Sequence, residues 1–342
     1  MLAAVLASAA NAGISINGDA TVGLLYKMKD PTSSREDKFS VESGNENSGM
    51  THVNFSATDG GKSGKGAYAF IETIIDAADK DPNFDVGGAY VGYNANKFDV
   101  RLGTLDSLTY QWVGSINTQQ RFGENISVVP VQNENNDHTI QFLTNLNRVT
   151  LGAQVQFPDA YGANLEGDYR AYDLGAKFDI GNLAFALVHQ EVNENALLTN
   201  TRQNGGDHEF LARNTTSASL GYELKNLTSN KFLKDLELAV TYADYSEQSK
   251  ANATGQRTED STYSIGLKMN DTSLLYQAGI ASDQERFNFQ HERPLSKNAA
   301  FGIGAQFGTK DYYATNTGDD AETAASKTQD KEFVVAYLTM NF

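Results

Sequence analysis

The 342-residue chain contains no cysteine, which removes disulfide frameworks, thiolate metal sites and cysteine nucleophiles from consideration. Basic residues are few: 27 Lys and Arg against 43 Asp and Glu leave a net charge of −16, which repels phosphate backbones and excludes nucleic acid as a partner. No uninterrupted apolar run approaches the roughly 18 residues of a membrane-spanning helix, so a helical membrane protein is excluded. At 40% hydrophobic residues the chain is nonetheless too apolar to be disordered. Histidines are also sparse. His52, His138, His189, His208 and His291 are scattered without metal-ligand spacing.

Catalytic constellations are missing as well. Gly61-Lys62-Ser63 has the flavour of a phosphate loop, but Ser56 stands where the first glycine belongs. The following segment, Gly66 to Ile75, reads as a strand, so the helix N-terminus that would bind phosphate is not there. No nucleophile–base pair can be assembled, and no enzyme activity is expected.

Residues 1–12 stand apart. Leu2 to Ala10 is a short apolar block, and Ala10-Asn11-Ala12 has the small-x-small form of a signal-peptidase site. Met1 is followed directly by Leu2, without a basic n-region, so the expectation is a partial secretory leader and export of a single domain over 13–342.

What the chain does have is period-two alternation. From Ile14 the even positions run Ile14, Ile16, Gly18, Ala20, Val22, Leu24, Tyr26 and Met28, against Ser15, Asn17, Asp19, Thr21, Gly23, Leu25 and Lys27. One face is apolar and uncharged, the other mostly polar or small, as in a strand between two different solvents. The pattern returns at 148–157, 171–180, 263–269 and 301–307. Tight polar turns, such as Asp179-Ile180-Gly181-Asn182, Asn270-Asp271-Thr272 and Ser296-Lys297-Asn298, alternate with longer polar stretches: Pro31 to Ser48, Glu194 to Arg213, Ser249 to Asp260 and Ala314 to Gln329. At roughly 20 residues per strand and connector, the chain holds about sixteen strands, the even number a single-chain transmembrane barrel requires.

A soluble β-sandwich also alternates. Three features weigh against it. The polar faces carry Gly, Ser, Thr and Gln rather than a charged mix, the apolar faces above carry no charge, and aromatics (Tyr26, Tyr172, Tyr222, Tyr242, Tyr263, Phe307) sit near strand ends as interfacial girdles require. The expected fold is an all-β transmembrane antiparallel barrel with short periplasmic turns and long extracellular loops. The last strand adds to this: Val334, Ala336, Leu338, Met340 and terminal Phe342 share one face, which resembles the signal that outer-membrane assembly machinery reads.

Several short motifs, in order along the chain, carry a family resemblance. Ile16-Asn17-Gly18-Asp19-Ala20-Thr21-Val22-Gly23 resembles the first strand of Gram-negative general diffusion porins. Ala89-Tyr90-Val91-Gly92-Tyr93 with Phe98-Asp99-Val100-Arg101-Leu102-Gly103 resembles their strand pair before the constriction loop, and Glu292 to Asn298 is similar to a turn near their end. The resemblance implies a homotrimer in the outer membrane, in contact with lipid and lipopolysaccharide, passing small hydrophilic solutes passively. It also implies that the third long loop, about 106–136, folds into the pore and places acids opposite a basic ladder. Arg121-Phe122-Gly123-Glu124 resembles the loop motif, with an arginine where the family has its acid; Asn54 and Thr104 stand where basic residues are expected.

On this reading the charges at the pore are Asp19, Asp106 and Glu124 against Arg101, Arg121, Lys27, Arg148, Lys177 and Lys268. A Debye length near 8–10 Å is comparable to a pore radius, so charges at the narrowest point act on every passing ion while distant ones are screened. The acidic excess predicts mild cation selectivity. Tyr110, Trp112 and Phe122 beside loop amides offer the competing prospect of a sugar-specific channel, and exposed loops that of an adhesin or receptor. No cofactor is expected. The acidic positions Asp76, Asp79, Asp81, Asp319 and Asp320 are the only ones suggestive of loop-bound Ca²⁺ or Mg²⁺.

Overall fold

The structure, a computed structural model, describes residues 13–28, 38–43, 51–59, 65–75, 84–114, 136–157, 171–192, 210–224, 235–249, 257–280, 284–308 and 332–342. Residues 1–12, expected from sequence to be a partial leader, the Gly61-Lys62-Ser63 segment and the acidic positions Asp76, Asp79, Asp81, Asp319 and Asp320 lie outside them.

Alternating sequence becomes alternating exposure. The strands are β1 (Gly13–Lys27), β2 (Lys38–Ser43), β3 (Thr51–Thr58), β4 (Gly66–Ile75), β5 (Phe84–Asn94), β6 (Phe98–Leu105), β7 (Asn136–Leu146), β8 (Val149–Gln156) and β9 (Ala171–Ile180). They continue as β10 (Leu183–Val192), β11 (Phe210–Glu223), β12 (Leu236–Ser249), β13 (Arg257–Met269), β14 (Thr272–Gly279), β15 (Gln284–Pro294), β16 (Ala299–Gly308) and β17 (Phe333–Asn341). Apart from β2 and β3, chain neighbours pair antiparallel, and β17 returns to β1, so the sheet closes into a barrel.

Seventeen segments fill sixteen places. β2 pairs with the far half of β1 (Val22↔Ser43 to Lys27↔Lys38) and β3 with the near half (Gly13↔Thr58 to Asp19↔His52), so the two are one wall position interrupted by residues 44–50. The stretch read as a loop from Pro31 to Ser48 therefore contains wall. Arg213 and Asp260, placed at loop ends from sequence, also lie inside β11 and β13.

Hairpins gather at one end. Asn147-Arg148, Gly181-Asn182 and Asn270-Asp271 are two-residue connections, with Asn147, Gly181 and Asn270 at φ of 67°, 65° and 51°. Positive φ matches the twist of such tight hairpins, which is why Asn and Gly occupy them. In the Glu292–Asn298 segment, Leu295 N donates to Ala299 O at 2.8 Å and closes the turn. The connections 59–65 and 224–235 are longer.

The outward face is apolar over its whole girth. Ile16, Leu24, Leu102, Leu151, Leu187, Ile265, Ile303 and Leu338 are each between 41% and 60% exposed, a burial failure in water and the expected state against hydrocarbon. Carboxylates on this face, Glu191, Asp244 and Glu285, lie toward the long-connection end, where Tyr172, Ser261 and Tyr276 hydroxyls donate to them. Val334, Leu338, Met340 and Phe342 all point outward, 45–52% exposed. The inner face of β17 is less polar than its alternation suggests: Phe333, Val335 and Tyr337 bury against Leu25 on the lumen side.

The seam closes at Gly18, whose N–H donates to Phe342 O and whose carbonyl accepts from Phe342 N, both at 3.0 Å. A Cβ on Gly18 would lie 2.7 Å from the Phe342 ring and 2.1 Å from the His52 carbonyl oxygen. Gly18→Val is therefore expected to cost about 1–3 kcal/mol by overpacking and to lower the temperature at which the folded barrel loses its SDS resistance. An unchanged gel-shift midpoint would show that the seam tolerates the extra bulk.

Candidate functional site

The interior wall is built from one pleat row after another, and one row is continuous over seven strands. Cross-strand register places Tyr68, Gly92, Arg101, Gln141, Gln154, Asp173 and Gln190 side by side on the lumen face of β4 to β10. Because side chains alternate, each strand contributes one residue to this belt.

Arg101 is the centre of its first half. Its Nη2 lies 2.8 Å from Asp99 Oδ2, its Nε donates to Asp99 Oδ2 at 2.9 Å and to the Tyr68 hydroxyl at 3.0 Å, and its Nη1 donates to Gln141 Oε1 at 3.2 Å. Tyr68 in turn donates to Asp99 Oδ1 at 2.6 Å, and the guanidinium stands 5.7 Å from the Tyr90 ring centroid. Gly92 makes room for this: a Cβ there would sit inside the Tyr68 ring, at 2.3 Å. Gln141 Nε2 donates to Gln154 Oε1 at 2.6 Å and carries the network to β8. One strand back, His52 Nδ1 meets Glu72 Oε1 at 3.1 Å on the same lumen side.

The second half carries the root of the third long connection. Asp106 to Gly114 follow β6 and include one short helix, α1 (Leu108–Trp112), capped by Ser107 Oγ, which accepts from Tyr110 N at 3.0 Å. Leu108, Trp112 and Val113 bury against Ala186, Val188 and Ala243 on the inner wall. Ser219 Oγ donates to the Trp112 carbonyl at 2.7 Å. Gly152 and Gly175, directly paired across β8 and β9, leave the space the indole fills: a Cβ on either would come within 2.6 or 2.9 Å of the ring.

The residues picked from sequence distribute as follows. Asp19 and Arg101 face the lumen; Arg101 is pinned by Asp99 rather than free. Lys177 faces the lumen with Asp179 at 3.8 Å. Lys268 faces it beside Glu237, in a recess of about 320 Å³ that Asp179 and Glu223 also line. Arg148 is exposed in a hairpin, away from the belt. Lys27 ends β1 at the long-connection end. Asp106 begins the connection, its carbonyl accepting from Gln111 Nε2 at 2.6 Å. Tyr110 is half-buried, and Trp112, only 9% exposed, is seated in the wall rather than open to the lumen. Arg121, Phe122 and Glu124 lie outside the described residues.

Sequence reasoning passed over Glu72, Asp99 and Asp173, although lumen parity alone marks all three. Among described side chains, the lumen face carries Asp19, Glu72, Asp85, Asp99, Asp173, Asp179, Glu223, Glu237 and Glu292 against Arg101, Lys177, Lys268 and Arg286. Carboxylates prevail. No group of three or more His, Asp or Glu with metal-holding geometry occurs among the described residues.

Comparison with known proteins places this architecture. A family model described as Gram-negative porin matches residues 1–337. A search of curated proteins finds no match. Among solved structures, an anion-selective porin from Comamonas acidovorans superposes with a TM-score of 0.72 at 14% identity, covering 97% of this chain and 100% of that one. The trimer form of OmpT, an outer membrane protein of Vibrio cholerae, gives 0.61 at 11% identity, covering 97% and 99%. A mutant of the porin of Rh. blastica gives 0.60 at 14%, covering 96% and 100%. At such identities these likenesses speak for the fold alone.

Proposed function

The chain belongs to the Gram-negative porin family, an outer-membrane β-barrel channel, and on that premise we propose that it passes ions and small hydrophilic solutes by diffusion with a preference for cations. The observation that carries the preference is the charge of the inner wall, where carboxylates outnumber cations and Asp99 cancels Arg101. Fixed charges within a Debye length of the ion path bias occupancy directly, while loop charges further out are screened. The Comamonas porin is anion-selective; the Arg101–Asp99 pair and the acidic wall belong to this sequence, and they argue for the opposite sign.

The connection 106–135 serves in this reading as the constriction, entering the lumen from its root at α1. Support comes from the packing of Leu108 and Val113 on the inner wall. General diffusion is favoured over a sugar-specific channel because Trp112, the ring on which sugar stacking would depend, is buried. The working unit is a homotrimer in contact with lipid and lipopolysaccharide, and the outward row ending in Phe342 serves as the mark read by the assembly machinery.

A planar bilayer under a salt gradient tests this. Reversal at a potential of the sign for cation preference, with conductance arriving in groups of three and unaffected by maltodextrins, is the expected result. An anion-signed potential overturns the selectivity, and concentration-dependent blockade by one sugar class overturns the general-diffusion reading.

A further inference from the structure

We propose that Asp173 is the positioning residue that fixes the root of the third loop on the barrel wall, acting through its carboxylate on the backbone N–H and hydroxyl of Thr109 in α1. The consequence for conduction rests on the reading that the connection 106–135 narrows the pore; the anchoring itself does not.

Asp173 sits in the middle of β9 on the lumen face and is 2% exposed. Its Oδ2 accepts from Thr109 N at 3.1 Å and from Thr109 Oγ1 at 3.4 Å. Its Oδ1 accepts from Gln190 Nε2 at 2.9 Å. Two of these three donors belong to the loop and one to the wall. A carboxylate this deeply buried is expensive unless its lone pairs are filled. Lifting α1 off the wall would remove most of its donors at once, so the buried charge and the docked loop root depend on each other.

Trp112 packing accounts for adhesion but not for this charge. Asp173 is flanked in its row by the uncharged amides of Gln154 and Gln190, and an amide at its own position would complete that row. A carboxylate differs from an amide in one respect that matters here: both oxygens accept. With α1 presenting the N–H and hydroxyl of Thr109 from one side and Gln190 an amide N–H from the other, only the ionised acid meets every donor. In Asp173→Asn, either orientation of the amide aims its NH₂ at a donor.

The test uses the full-length barrel. Asp173→Asn barrels are expected to remain SDS-resistant, to shift the emission of Trp112 to the red, and to show brief conductance excursions about tenfold more often than wild type, the scale of one lost charge-assisted hydrogen bond. A double variant, Thr109→Cys with Asp173→Cys, replaces the contact by a disulfide, unambiguous in a chain with no other cysteine. Oxidised channels are expected to be quiet and the same channels, once reduced, to flicker; this comparison decides the matter if Asp173→Asn does not fold.

Folded Asp173→Asn with wild-type emission and noise overturns the anchor, as do equally quiet oxidised and reduced double variants. A shifted emission with an unchanged current supports the anchor and overturns the constriction reading instead.

Discussion

In Asp99→Asn channels the reversal potential under a salt gradient is expected to move toward the anion side, with the cation-to-anion permeability ratio falling about threefold. The scale follows from a unit charge acting at about 7 Å through water, about 0.6 kcal/mol, damped to about half by salt and felt with opposite sign by cation and anion. The variant keeps the shape of the side chain and removes only its charge. In the wild type, Arg101 is held by Asp99 at 2.8 Å, so the pair presents a dipole rather than a cation to the lumen. Once Asp99 is neutral, the guanidinium remains in place through Tyr68 and Gln141, because those bonds do not involve the carboxylate. The charge it exposes is then new to the pore.

Arg101→Gln gives the mirror experiment, leaving Asp99 uncompensated and pushing the ratio toward cations by a similar factor. The double variant, with neither charge, is expected to return near wild type. That cycle separates the pair's mutual cancellation from any rearrangement, since a structural disturbance would add rather than cancel. Should Asp99→Asn leave the potential where it was, the pair lies too far from the ion path to matter, and the selectivity must be set elsewhere.

The strands were legible because lipid and water impose different rules on the two sides of the same backbone. Ile14, Ile16, Val22 and Leu24 are apolar for one reason, and no folded core was needed to see it. Hairpins were legible where positive φ demands Asn or Gly, as at Asn147 and Gly181. β4 and β5 carry a weaker signal, since their inner face holds Tyr68, Phe70 and Tyr90, and alternation fades when both sides are apolar. The break between β2 and β3 left no local mark, because it is defined only by which half of β1 each segment meets.

The site was legible only by parity. Alternation told which charges face inward, so Arg101 and Asp19 could be named, but Asp99 shares Arg101's face and was read merely as part of a motif. Its role depends on a distance of 2.8 Å between residues two apart, a geometry that side-chain rotamers decide. Trp112 was singled out as a loop aromatic beside amides, and that pattern says nothing of where a ring rests. Its seat is made by Gly152 and Gly175, residues that read in sequence as small positions on a polar face. Their partner is 40 and 63 positions away in the chain, beyond any local pattern.

Those two glycines carry the other large expectation. Gly175→Val is expected to displace Trp112 while sparing the barrel. The new Cβ would fall 2.9 Å from the indole and 3.1 Å from the Leu187 carbonyl oxygen, and two further methyls would take the volume the ring now fills. Valine is itself a favoured strand residue, so the ladder between Gly152 and Gly175 has no reason to open. The loss falls on the cluster of Leu108, Trp112, Val113, Ala186, Val188 and Ala243, at a cost on the order of 3 kcal/mol if the indole leaves it entirely. Trp112 is the only tryptophan, so its emission reports this one seat without a background. The spectrum should shift to the red, the folded barrel should still resist SDS, and single-channel conductance should change because the loop root has moved. Gly13→Ala, whose Cβ would meet nothing closer than 3.6 Å, serves as the matched control and should change none of these. If Gly175→Val keeps a wild-type spectrum and conductance, the indole has room to stay, and the glycine pair is not what seats the loop.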